Sequence, residues 1–173
     1  SVSARFSVQQ NAGNLTGTNL PAGFRNYLGV TSLAATSVGA SDIYLVRQMI
    51  EGFNVADLNW GTANAQAVTL SFWVRSSLTG TFGGALSNNS SNRVYPFSYT
   101  ISSANTWEQK SITIAGDTTG TWLTNNSNGI EVRFGLGVGS TNSGTAGAWG
   151  TSQAFSCTGA TSVVGTNGAT FYI

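Results

Sequence analysis

Hydrophobic and polar positions alternate with a period of two over several short runs of this chain, which predicts half-buried strands rather than helices. The clearest run covers 68–75, where Val68, Leu70, Phe72 and Val74 point to one face and Thr69, Ser71, Trp73 and Arg75 to the other. A second covers 130–136, with Ile130, Val132, Phe134 and Leu136 inward and Glu131, Arg133 and Gly135 outward. Further strands are predicted at 5–9, 43–50, 81–86, 95–101, 107–114 and 169–173, with fainter signals at 27–30 and 148–155. Asn- and Gly-rich stretches such as 87–92, 116–120 and 137–147 separate them, because those residues tolerate positive φ. One helical turn is predicted at 54–58, capped by Asn54 with Val55 and Leu58 inward. Many short strands without a βαβ alternation predict one all-β domain over 1–173, an antiparallel β-sandwich of jelly-roll type.

Composition changes this picture in one respect. Charged residues make up 8% of the 173, against about 25% in an average domain. The surface is therefore covered by Ser, Thr, Asn and Gly, a composition associated with extracellular and virion proteins. A formal charge of +1 gives no field of the kind that nucleic-acid binding needs, and no apolar run is long enough to span a bilayer. Nucleic acid and membrane insertion are not expected. The sequence starts at Ser1, as a processed chain or an excised piece would.

Histidine is absent, which removes the usual general base, the Ser/His/Asp triad and the commonest transition-metal ligand together. The single cysteine, Cys157, permits no internal disulfide and no Cys/His zinc site, and it reads as a buried free thiol. Calcium is the metal left, with Asp42 and Asp117 as candidate ligands against the simpler role of capping their own turns. The Gly-rich run at 135–139 lacks the helix and lysine of a phosphate loop and reads as a strand end. Catalysis would need paired carboxylates, Glu51 with Asp57 or Glu108 with Asp117, and neither pair lies in a run suggesting a cleft. No enzymatic activity and no cofactor other than structural calcium is expected.

Aromatic residues are the richest functional material. An indole face buries the apolar C–H face of a sugar ring while neighbouring polar groups bond its hydroxyls. Trp73 is the leading candidate, with Arg75 beside it; if the two clearest strands share a sheet, Glu131 and Arg133 join them in one patch. Trp149, in a small-residue loop, is a further candidate. Trp60, Trp107 and Trp122 read as packing residues.

The phrases VADLNWGTANAQAVTLSFWVRSSLTGTFGGAL, ANTWEQKSITIAGDTTGTW and GATFYI resemble a domain near the C-termini of phage and prophage tail or other virion structural proteins. The likeness covers about 43–173, and the first forty residues carry less of it. The "SFWV" strand and a later strand opening on Trp also resemble jelly-roll carbohydrate-binding modules. The first likeness implies a tail fibre, spike or surface decoration on the virion surface, contacting other virion proteins and self-associating, with a trimer favoured. It also implies a chain trimmed at its C-terminus, since members continue a few residues past "FYI". The second implies contact with a glycan or host-surface receptor on a sheet face or loop edge. A carbohydrate-binding module of a secreted polysaccharide-active enzyme is the alternative.

Overall fold

The computed structural model describes residues 4–15 and 20–173. The described residues form eleven strands: β1 (Phe6–Gln10), β2 (Leu28–Ser32), β3 (Ile43–Glu51), β4 (Val68–Ser76), β5 (Gly80–Ser87), β6 (Val94–Ile101), β7 (Glu108–Ile114), β8 (Asn128–Val138), β9 (Ser143–Gly144), β10 (Ser156–Cys157) and β11 (Thr170–Tyr172). One antiparallel sheet has the order β1-β2-β11-β4-β7 and a second the order β3-β8-β5-β6, while β9 and β10 form a short parallel pair. The two large sheets pack face to face as an all-β sandwich. The chain changes sheet at every connection from β2 to β5 and again around β7 and β8; β5 and β6 are joined as a hairpin within one sheet.

The alternating runs explain the packing. Val74, Leu136, Phe82, Phe97, Ile101, Ile114 and Phe171 meet between the sheets with almost no exposure. Each fully buried Phe or Leu stabilises the fold by about 1.5–3 kcal/mol. The predicted helical turn resolves into two 3₁₀ turns, Gly52–Asn54 and Ala56–Leu58, interrupted at Val55, whose φ of −132° cannot continue a helix. The faint strand at 148–155 is irregular chain that touches β6 through one bridge, Val94 to Gly150. Ala148, Gly150, Ser152, Gln153 and Ala154 outnumber its β-forming Trp149, Thr151 and Phe155, too few for a ladder.

That irregular segment has a second role. It lies with β10 across the outer face of the second sheet, so β8 is buried on both faces. Close approach is possible because Gly83 on β5 has no side chain: a Cβ there would fall 2.5 Å from Cys157 Sγ and 2.8 Å from its backbone nitrogen. Cys157 is thereby buried, and burial pushes its thiol pKa up. A thiol held protonated and shielded should react with an aromatic disulfide reagent only after denaturation. Full labelling of the native protein within minutes would contradict this packing.

Candidate functional site

The two clearest strands lie in different sheets: β4 in the first, β8 in the second. Trp73 and Arg75 therefore do not form one patch with Glu131 and Arg133. The alternation gave the right outward direction for all four side chains, but it carries no information on which strands pair or what lies above them.

Arg133 is 2% exposed and Glu131 3%. Arg133 donates to both Glu131 oxygens at 3.0 and 3.2 Å, to Ala154 O at 3.1 Å and to Ser91 Oγ at 2.6 Å, and sits 4.4 Å from the centre of the Phe155 ring. Arg47 adds a 3.2 Å bond to Glu131 from the solvent side. These charges fasten the covering segment to the sheet. They present no open surface to a ligand.

Asp117 is also buried and accepts two bonds from Arg93 at 2.6 and 2.7 Å, plus one each from the backbone and hydroxyl of Thr119. Asp42 accepts the Gly39 N–H at 2.9 Å. Both thus hold their own turns, and among the described residues no three His, Cys, Asp or Glu side chains come together. Glu108 bonds Lys110 at 2.6 Å and the backbone of Ser102 and Ser103. It lies at the opposite end of β7 from Asp117, and at about 3.3 Å per residue that strand alone separates them by roughly 20 Å, beyond the ~9.5 Å of a glycosidase pair.

Burial alone would raise the Asp117 and Glu131 carboxyl pKa values, but the bonds from Arg93 and Thr119, and from Arg133 and Arg47, outweigh it and hold both below the ordinary range. The Lys110 bond chiefly does the same for Glu108. A depressed folded-state pKa contributes stability that is complete above the unfolded value and lost as pH falls toward the folded one. Thermal melting should therefore be flat above about pH 5 and fall steadily below about pH 4. A melting temperature that rose on acidification would contradict these pairings.

A sizeable groove with a strongly apolar lining lies on the outer face of the first sheet. Trp73 and Ser71 project there from β4, and Gln109 stands directly across from Trp73 on β7. Residues 11–15 and 20–27 fold back over the neighbouring part of the same face. Asn11, at φ 54°, turns the chain, and its side chain accepts the Tyr27 N–H at 3.1 Å and donates to Asn26 Oδ1 at 2.8 Å. Tyr27 donates its hydroxyl to Ala12 O and places its ring edge-on to Trp107 and Tyr172, with centroids 5.7 and 5.4 Å away. Gly29 lets this cover sit close: a Cβ there would be 2.4 Å from the Ala12 Cβ.

Between cover and sheet remains a groove of about 380 Å³, lined by Trp73, Trp107, Phe24, Asn26, Ser71, Gln109 and further aromatic and aliphatic neighbours. Trp73 differs from the other tryptophans in its partners. Trp60, Trp122 and Trp149 stack edge-on against one another at 4.7 to 5.4 Å, and each bonds a backbone oxygen, of Gln66, Thr119 and Ala115 respectively. Trp149 is thereby tied into a packing cluster, although it also borders an open groove of mixed lining, about 390 Å³, beside β6. Trp107 is held by Tyr27 and Tyr172, with its buried N–H unpaired. The Trp73 indole makes no ring contact and no side-chain hydrogen bond among the described residues.

Arg75, two residues along, pairs across from Tyr172 on β11; its Nε is buried without a partner, and it does not line the groove. The alternation of Trp107, Gln109, Ser111 and Thr113 along β7 was the available signal for Gln109. Phe24 and Asn26 had none, since nothing local ties them to a strand nearly fifty residues away. No family model, curated protein or solved structure matches this chain.

Proposed function

We propose that this chain is a non-catalytic, glycan-binding β-sandwich of jelly-roll connectivity, displayed on a virion surface in a tail fibre, spike or decoration. The observation that carries the binding role is Trp73, half-buried in the wall of a groove in which, among the described residues, no side chain is charged and none bonds the indole. An aromatic plane beside free amide and hydroxyl groups is the arrangement sugar rings require. The volume sits near the low end of the ~300–1,000 Å³ of small-ligand sites, suited to one or two rings. The strand orders support the connectivity, and the phrases between 43 and 173 support the virion setting.

Calorimetric titration with soluble oligosaccharides tests the binding role. Saturable binding in the micromolar to millimolar range, about −8 to −4 kcal/mol, is expected; a panel without one binder would count against it. Oligomer packing is the second reading, favoured by exposed Val8 on β1 and exposed Leu33 next to it, β1 having no partner on its outer edge among the described residues. Light scattering should then report a homotrimer, and a strict monomer at high concentration would exclude that reading.

A further inference from the structure

Resting on that binding role, we infer that the groove selects neutral glycans and discriminates against acidic ones. Among the described residues no charged side chain lines it. Of the seven bases, Arg47, Arg93, Lys110 and Arg133 are committed to Glu131, Asp117 and Glu108. Arg25 and Arg75 are near in sequence to lining residues but outside the lining, and Arg5 lies before β1. A sialic acid carboxylate or a sulfate entering beside Trp73 would lose hydration with no cation to replace it, a penalty large enough to oppose stacking.

The polar groups present suit hydroxyls instead. Gln109 and Ser71 make no side-chain hydrogen bond among the described residues, and Asn26 uses its oxygen on Asn11 while its amide N–H groups have no described partner. These groups offer both donors and acceptors, matching a hydroxyl or N-acetyl group, which does the same. The ligand class is therefore a neutral hexose or N-acetylhexosamine glycan, its C–H face on Trp73 and its hydroxyls toward Gln109.

Titrating neutral galacto-, gluco- and N-acetyllactosamine oligosaccharides against their sialylated or sulfated counterparts, at physiological and high salt, tests this. Neutral ligands should bind with an affinity insensitive to salt, acidic counterparts about tenfold or more weaker. Gln109→Leu, on an edge strand, should weaken neutral binding at least about tenfold with the melting curve unchanged. Acidic glycans binding equally or more tightly, with salt-sensitive affinity lost in Arg25→Ala or Arg75→Ala, would overturn the selectivity while leaving the groove as the site. Binding of neither kind, or binding that survives both Gln109→Leu and Trp73→Ala, would overturn the groove itself.

Discussion

Replacing Arg133 with alanine is expected to destabilise the fold by about 3–5 kcal/mol, much of a small domain's total stability. The substitution leaves Glu131 buried with only the half-exposed Arg47 as counter-charge, and it removes the bonds to Ala154 O and Ser91 that hold the covering segment down. The deficit arises from an uncompensated buried charge rather than from loss of a favourable pair. An apolar double replacement, Arg133→Met with Glu131→Leu, should therefore recover a large part of it. Urea denaturation of the three proteins checks this. A loss below about 1 kcal/mol in Arg133→Ala would show that the network holds nothing in place.

The second large effect separates function from fold. Trp73→Ala should abolish glycan binding, or weaken it by about thirtyfold or more, the roughly 2 kcal/mol of an aromatic anchor. Its melting temperature should barely move, because the indole has no ring or hydrogen-bond partner among the described residues. Trp60→Ala should do the reverse. It empties a 7%-exposed position between Trp122 and Trp149 and strands the Gln66 carbonyl, at a cost of about 3–5 kcal/mol. Thermal melts beside calorimetric titrations would show the crossover. Equal loss of stability in both variants would mean that Trp73 is packing after all.

Strand positions were legible because burial of one face writes a period of two directly into the chain. The runs at 68–75 and 130–136 correspond to Val68–Ser76 and Asn128–Val138, extended by a residue or two where backbone pairing continues past the alternating stretch. Sheet membership was not legible, because β4 pairs with β11, almost a hundred residues on, and β8 with β3 and β5. The burial of Glu131 and Arg133 was hidden for a related reason. Alternation says which way a side chain points, whereas the cover above it comes from 148–155, a faint strand signal with nothing local to say which sheet face it crosses.

The candidate site shows the same division. Trp73 stood out as the outward aromatic on the clearest strand, and it is the tryptophan the fold leaves without partners. Its neighbours Phe24 and Asn26 come from a strap fixed by Asn11 and Tyr27, contacts that no local pattern encodes. The Trp60, Trp122 and Trp149 cluster likewise assembles loops distant in sequence.

The most direct test of the groove uses the five indole N–H resonances of the ¹⁵N-labelled protein, one for each tryptophan. On titration with a neutral oligosaccharide, the Trp73 signal should shift most and saturate, Trp107 should follow to a lesser degree, and Trp60, Trp122 and Trp149 should stay in place. A saturating shift confined to Trp149 and its two partners, with Trp73 unmoved, would contradict the account.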